Sequence, residues 1–310
     1  MSAPSLPLLP PDLTVFERGW LSSNNVLLDD GHAAVLVDTG YCTHAEQTLA
    51  LVAHALGERP LDHVLNTHLH SDHCGGNGAL QTRYPGLVTA LPPGGSQAVA
   101  EWDEAALGHA RFGQRIERFG FDRLLQPGTT EHLAGRAWQV HAAPGHDPHA
   151  VLLFQPDTGV LISGDALWEN GFGVVFPELD GLSGFDEVAA TLDVIAQLAP
   201  AVVIPGHGGV FADVPAALAR ARTRLGGFVQ NPQRHLRHAA KVLVKYKLLE
   251  MGTTPHPHLQ AWAAGTPALA DLHRVSAGAP PAFNEWIDDL LADLVRTGAA
   301  AVSNGWVSNH

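Results

Sequence analysis

Short apolar runs separated by turn residues make up much of the first 227 residues. Residues 26–28 and 33–38 are two such runs joined by the turn at residues 29–31, which predicts a β-hairpin. Residues 44–56 carry apolar positions at helical spacing and stop before Gly57. Further strands are predicted at residues 63–67, 138–142, 150–154, 160–163 and 201–205, and further helices at residues 103–118, 185–198 and 215–225. This mixture of strands and helices indicates an α/β layered architecture.

The pattern changes after Gly226 and Gly227. Residues 233–250 read as one long helix, weaker helical patterns follow, and strand-like residues return only in the last dozen positions. The weaker helices are predicted at residues 267–274 and 282–297. We therefore predict a first domain over residues 1–227 and a mainly helical extension over residues 228–310. The extension resembles a winged helix, with helices followed by a small β-wing.

Composition and charge narrow the classes of function and partner. The 310 residues include 18 Lys and Arg against 31 Asp and Glu, a net charge of −13, which disfavours a nucleic-acid partner. No apolar run approaches the roughly 18 residues of a membrane span. The first 13 residues lack a positive charge and are broken by prolines, so they make a poor signal peptide. We expect a cytoplasmic location and no membrane partner, and a homodimer stays open.

Histidine is unusually frequent, with 19 residues, and three of them occur within six positions. His68, His70, Asp72 and His73 directly follow the strand predicted at residues 63–67, so they can converge if the segment is a loop. Imidazole and carboxylate ligands suit zinc, iron or manganese better than calcium or magnesium. The glycine pair that follows, Gly75 and Gly76, allows a tight turn into the next helix.

Three later motifs each place one potential ligand beside glycine after a predicted strand. They are PGHD at residues 144–147, SGDA at 163–166 and PGHG at 205–208, and their potential ligands are His146, Asp165 and His207. Loops at one end of a sheet share a rim, so these segments can meet the histidine-rich loop there. Five imidazoles and two carboxylates can hold two divalent metal ions, with zinc favoured and iron or manganese as alternatives. Water bridging two such ions loses a proton near neutral pH, and the hydroxide attacks a carbonyl.

These seven residues resemble those of the metallo-β-lactamase superfamily, in particular its glyoxalase II-like hydrolases. The resemblance implies a four-layer αβ/βα sandwich with two metals at one edge. It also implies a first metal site of His68, His70 and His146, a second of Asp72, His73 and His207, and Asp165 as the bridging ligand. The chain departs from related hydrolases after His146, where the sequence continues Asp147-Pro148-His149.

Residues outside the ligand set are open to two interpretations each. Asp38, at the end of a predicted strand, either accepts a hydrogen bond from a ligand histidine or caps a turn. His149 either orients the site and touches substrate or is a satisfied polar residue at a strand start. Trp168 and Phe172 lie just after Asp165 and either line a pocket wall or fill the core.

The basic residues are concentrated between positions 220 and 247. Lys241 and Lys245 share one face of the long helix with Arg234 and His238. In an acidic protein this face either steers an anionic substrate or is a solvated helix surface.

The sequence therefore predicts a dinuclear metal-dependent hydrolase that cleaves an ester or thioester bond of a small-molecule substrate by a metal-bridging hydroxide. Asp72 is the candidate for returning the proton. A lactonase ranks lower, because none of the three tyrosines closely follows Asp165. A mononuclear iron oxidoreductase resembling persulfide dioxygenases is the second alternative, and the net charge makes a nuclease less favoured.

Overall fold

The structure is a computed structural model that describes residues 9–278 and 280–310. The chain forms two compact units. The first contains the chain up to Asp103 and Ile116–Leu225, and the second contains Glu104–Arg115 and Gly226–His310. The segment Glu104–Arg115 thus groups with the second unit, although the sequence places it in the first domain. The division into residues 1–227 and 228–310 stays a prediction.

The first unit contains two β-sheets. One has six strands in the order β1 to β6: Leu13–Phe16, Asn25–Asp29, Ala34–Val37, His63–Leu65, Val88–Leu91 and Arg123–Leu124. The other has five strands in the order β11-β10-β9-β8-β7, with β7 Thr130–Leu133, β8 Arg136–Ala142, β9 Val151–Gln155, β10 Val160–Gly164 and β11 Val202–Pro205. Strands β3 to β6 run parallel to one another, as do β10 and β11. The remaining neighbours are antiparallel.

The helices of both units follow in chain order. They are α1 Ala45–Leu56, α2 Ser71–Cys74, α3 Asn77–Arg83, α4 Ser96–Glu101, α5 Glu104–Leu107, α6 Phe176–Leu179, α7 Phe185–Leu198, α8 Val214–Gln230, α9 Pro232–Met251, α10 His256–Ala264, α11 Pro267–Val275 and α12 Phe283–Arg296. Among the described residues, no helix is both long enough and apolar enough to cross a bilayer.

The side-chain alternation of the strands explains why the two sheets pack face to face. On β2, Val26 and Leu28 point into a buried cluster shared with strands of the second sheet, which contributes Trp138 and Leu153. Leu27 points to the opposite side, where a separate cluster packs the first sheet against helices. That cluster includes Val52 and Leu56 of α1 and Leu80 of α3. The predicted α/β class is confirmed.

The second unit combines helices with a three-stranded antiparallel sheet. Its strands are β12 Thr253–Pro255, β13 Ala300–Ser303 and β14 Trp306–Asn309, with β14 in the centre. Helix α12 buries one apolar face made of Trp286, Ile287, Leu290, Leu291 and Leu294. The predicted helical character of this region is confirmed. The sequence analysis made no prediction for β12 and α10, which contain Pro255 and Pro257.

Two predicted helices differ from the structure. The helix predicted at residues 103–118 is wrong, because Gly108 and Gly113 adopt left-handed φ values of 75° and 68° and leave only α5 and the 3₁₀ turn His109–Phe112. The helix predicted at residues 215–225 is longer than expected. It continues through the glycine pair to Gln230, and Pro232 then starts α9.

Four strands that have a parallel neighbour lead at their carboxyl ends into loops. Strands β3 and β4 end at Val37 and Leu65, and β10 and β11 end at Gly164 and Pro205. Loops after the carboxyl ends of neighbouring parallel strands lie next to each other. Each predicted ligand segment except that of His146 follows one of these ends, and the His146 segment follows β8.

Candidate metal centre

A short loop and a single helical turn after β4 carry four of the predicted ligands. The start of the loop is held in place, because Asp38 accepts hydrogen bonds from the Thr67 backbone N–H and hydroxyl, both at 2.8 Å. The Asn66 side chain donates to the His73 carbonyl at 3.0 Å. His68 and His73 are consequently buried, with 1% and 0% exposure. This packing presents their imidazoles at defined angles.

The structure brings together all seven predicted ligands in three overlapping groups. The groups are His68 with His70 and His146, His68 with His73 and Asp165, and Asp72 with His73 and His207. Within each group the ligand atoms lie within 4.8 Å of one another. Because His68 and His73 each belong to two groups, the three groups form one continuous centre.

The carboxylate of Asp165 lies between the groups. Its Oδ1 is 3.5 Å from His73 Nε2. Its Oδ2 is 3.4 Å from His146 Nε2 and 3.8 Å from His207 Nε2. One carboxylate thus faces histidines of all three groups, which is the placement that a bridging ligand needs.

Four of the predicted ligand histidines share one arrangement, in which Nε2 faces the centre and Nδ1 contacts an oxygen outside it. The oxygens are Thr67 Oγ1 for His68 (3.1 Å), Asp38 Oδ2 for His73 (2.8 Å), the Val174 carbonyl for His146 (2.6 Å) and the Gly19 carbonyl for His207 (3.2 Å). Such partners fix the tautomer and ring orientation of metal-ligating histidines. The contact between Asp38 and His73 agrees with the first of the two interpretations of Asp38.

The histidine Nε2 atoms that face the centre supply a test of whether the centre fits a metal. Nε2 of His68 and Nε2 of His73 are buried and have no hydrogen-bond partner among the residues that the structure describes. A buried polar atom without a partner is costly, and coordination by a metal ion removes that cost. Imidazole nitrogens with nearby carboxylate oxygens are a donor set suited to zinc, iron or manganese. The residues therefore fit divalent metal ions.

Burial keeps two of the histidines neutral. Desolvation lowers the pKa of His68 well below its ordinary value, and neighbouring imidazoles lower it further. Desolvation also lowers the pKa of His146 to about 4. Both rings therefore present a free lone pair at neutral pH, as a metal ligand must.

The opposite side of the centre is rich in negative charge. Burial alone would lower the pKa of His73, but the Asp38 and Asp165 carboxylates raise it well above its ordinary value. Burial would likewise lower the pKa of His207, which Asp165 and Asp72 raise. Burial would raise the pKa of Asp165, yet His207 and His73 hold it well below its ordinary value. This side of the centre is stabilised by positive charge, which a proton or a metal ion can supply.

Aromatic rings form the rim on the side of His207. Trp20 is 51% exposed and stacks on the His207 ring, with centroids 5.4 Å apart and planes 7° apart. Trp168 lies edge-on to His207 at 5.6 Å and donates from Nε1 to Asp165 Oδ1 at 3.1 Å. On the other side Phe176 lies edge-on to His70 at 4.7 Å. The sequence analysis missed Trp20, because its segment carries no ligand motif.

Phe172 and His149, which the sequence analysis considered, and the neighbouring Cys74 lie outside the groups of candidate ligands. Phe172 is 1% exposed and lies under the Arg224 guanidinium, which supports the core interpretation rather than a pocket wall. His149 is exposed, its ring covers Gly94, and it belongs to none of the ligand groups. Cys74 is buried, and burial raises the pKa of its thiol well above the ordinary value, which fits a packing role.

The two lysines predicted to bind substrate lie in the second unit. Lys241 Nζ is 3.6 Å from the Asp293 carboxylate. Lys245 Nζ donates to the Ala299 carbonyl at 2.5 Å and to the Asn309 side chain. Both ammonium groups therefore have partners within their own unit. Their contact with substrate stays a prediction.

Known proteins are similar to this chain in sequence or in fold, over different lengths. A hydroxyacylglutathione hydrolase of Synechococcus sp. (strain JA-3-3Ab) is 36% identical over 135 residues, which are 44% of this chain and 44% of that protein. The chain thus spans about half the length of the curated relatives that it matches. A metallo-beta-lactamase family protein of Thermus thermophilus has a similar structure, with a TM-score of 0.58 and 20% identity, covering 98% of this chain and 100% of that one.

A second solved structure, TTHA1623 in a di-iron-bound form, has a TM-score of 0.54 and 26% identity over 68% of this chain and 99% of that one. The sequence model of the metallo-beta-lactamase superfamily matches residues 18–207. This range contains the whole ligand set, from His68 to His207. The match covers more than half of the chain, which therefore belongs to the metallo-beta-lactamase superfamily.

Proposed function

We propose that this protein is a metal-dependent hydrolase that holds two divalent ions and cleaves an ester or thioester bond of a small-molecule substrate. The observation that carries the proposal is the position of Asp165, whose two oxygens face His73, His146 and His207. A carboxylate between two sets of imidazoles suits a pair of ions better than one. The similarity to a protein named hydroxyacylglutathione hydrolase supports a hydrolytic reaction.

The chain's own residues would have different roles around such a pair of ions. When bound, two divalent ions supply an acidified water and a Lewis acid for the carbonyl. Asp165 keeps the two sets of ligands together, and Trp168 holds one of its oxygens. Asp72 Oδ2 lies 3.1 Å from His207 Nε2, so this carboxylate is at the centre and is the candidate that returns a proton to the leaving group.

The rings beside the centre suggest where an apolar part of a substrate binds, and the candidates for an anionic part come from the sequence alone. Trp20, Trp168 and Phe176 offer apolar surface beside the ligands. Lys241 and Lys245 are our candidates for contact with an anionic group of the substrate. The pair Lys241→Glu with Lys245→Glu tests this: KM for an anionic substrate should rise while KM for a neutral one stays constant. A constant KM for both would exclude the lysines.

The primary test joins metal quantification with a substrate panel. We expect two ions per chain after purification, with zinc favoured, and hydrolysis of thioesters or aryl esters that a chelator abolishes. His146→Ala should lower both metal content and rate. His54→Ala, at an exposed position on α1, is the matched control and should change neither. One iron per chain with oxygen uptake would instead support the dioxygenase alternative, and lactones in the panel test the lactonase.

A second test asks whether Asp72 returns the proton to the leaving group. If Asp72 returns it, Asp72→Asn should alter the pH dependence of kcat in fully metal-loaded protein. An unchanged profile would remove Asp72 from this role. A cytoplasmic location and a homodimer remain predictions of the sequence.

A further inference from the structure

The fifth ligand histidine, His70, is oriented the other way from the remaining four. Its Nδ1 is 2.8 Å from His146 Nε2 and therefore faces the centre. Its Nε2 faces outward and lies 3.8 Å from Asp147 Oδ2. This separation is longer than a hydrogen bond but is within the range of a contact between a charge and an N–H dipole.

The backbone around Asp147 determines which of its oxygens faces His70. Asp147 Oδ1 accepts a hydrogen bond of 2.7 Å from the His149 backbone N–H, which closes a short turn. Oδ2 is left on the side of His70. The side chains of His70 and Asp147 are only 23% and 17% exposed, so solvent screens the charge incompletely.

We propose that Asp147 is a positioning residue for His70 and, through it, for the metal held with His68 and His146. A carboxylate near Nε2 favours the tautomer that carries the proton there, because the N–H dipole then points at the negative charge. That tautomer leaves the Nδ1 lone pair directed at the centre. Asp147 thus does for His70 what Asp38 does for His73, with the two ring nitrogens exchanged.

This inference rests on the proposed function, since it assigns a role toward the metals. It concerns the residue at which the chain departs from related hydrolases. The turn and the charge are separable, because asparagine keeps the Oδ1 acceptor of the turn and loses the carboxylate charge. Alanine loses both.

The test is zinc titration of metal-free protein in competition with a chromophoric chelator, which resolves the two binding steps. We expect Asp147→Asn to weaken one step about 10- to 100-fold and to leave the other unchanged. Asp147→Ala should weaken the same step at least as much. Asp157→Asn, at an exposed turn residue whose carboxylate accepts a hydrogen bond from Gln155, is the control and should alter neither step.

A second readout follows the tautomer directly. The ¹⁵N shifts of the His70 ring in metal-free protein should show a protonated Nε2 in the wild type and a weakened preference for that tautomer in Asp147→Asn. If each of the two zinc affinities is the same in the wild type and in both variants, the positioning role is overturned and the proposed function stays intact. A wild type that binds no zinc, iron or manganese would overturn the proposed function itself, and the inference with it.

Discussion

Asp38 Oδ2 accepts a hydrogen bond of 2.8 Å from His73 Nδ1, and both residues are buried. Asp38 occupies this position with a left-handed φ of 58°, which Asp and Asn adopt at lower cost than most residues. Its other oxygen accepts the Thr67 N–H at 2.8 Å. One carboxylate therefore fixes both the end of the loop that leads to His68 and the ring of His73.

Asp38→Asn should weaken binding of the ion held by His73 about 10- to 100-fold, because the amide replaces the charge that orients the imidazole. Asparagine tolerates the same backbone conformation, so we expect the fold to persist. Chelator competition measures the affinity, and circular dichroism checks the fold. The control is Asp122→Asn, whose carboxylate accepts the Thr89 N–H at 2.8 Å away from the ligand groups. Equal affinity in the two variants would contradict this role.

The grouping of the seven predicted ligands was predictable because each of them lies in a short motif that follows a strand. The oxygens that contact the histidine Nδ1 atoms were only partly predictable from the sequence. Asp38 could be anticipated, since its side chain supplies the acceptor. The carbonyls of Val174 and Gly19 could not, because every residue has a carbonyl and its direction depends on the folded loop.

The fold, too, was predictable from the sequence only in part. The hairpin at β2 and β3 was predicted to within one residue at each end, because both faces of these strands are buried and their sequences are therefore nearly continuous apolar runs. Helix α10 was missed, since Pro255 and Pro257 at its start suggest a break although proline suits the first turn of a helix. Glu104–Arg115 grouped with the second unit because of tertiary contacts that local patterning does not encode.

Trp168→Phe should lower kcat/KM about tenfold, because phenylalanine keeps an aromatic ring but cannot donate to Asp165 Oδ1. The freed carboxylate would be less well oriented between its histidines. Steady-state kinetics at saturating zinc provide the measurement. Trp306→Phe, at a 51% exposed position of the second unit, serves as the matched control. If both variants keep the wild-type kcat/KM, the hydrogen bond has no role in the reaction.

Metal affinity should fall as pH falls, starting above the ordinary histidine pKa of 6.5. The pKa values of His73 and His207 are raised in the metal-free protein, so these rings hold protons that must leave on coordination. The same shifts stabilise the metal-free fold at pH values below 6.5, and this contribution is lost as pH rises through the raised pKa values. Calorimetry in buffers of different ionisation enthalpy should detect proton release near pH 7. Absence of proton release, with constant affinity across neutral pH, would contradict the charge assignment.

Gly75→Ala should destabilise the first unit, although the glycine does not need its conformational freedom. Its φ of −64° is open to any residue, so the tight turn expected from the sequence is not the reason for glycine here. A Cβ would lie 2.5 Å from the Cys42 nitrogen and 2.5 Å from the Ser71 carbonyl oxygen, and both are backbone atoms that cannot rotate away. We expect the free energy of unfolding to fall by about 1–3 kcal/mol, as for other overpacked sites.

The substitution should also weaken metal binding, because Gly75 directly follows α2, the helical turn that carries Asp72 and His73. Urea unfolding and chelator competition on the same samples measure the two effects. Gly86→Ala is the matched control, since no atom of the described residues lies within 4 Å of its added Cβ and its φ is not positive. If Gly75→Ala is as stable as Gly86→Ala, the close backbone approach does not hold the ligand turn in place.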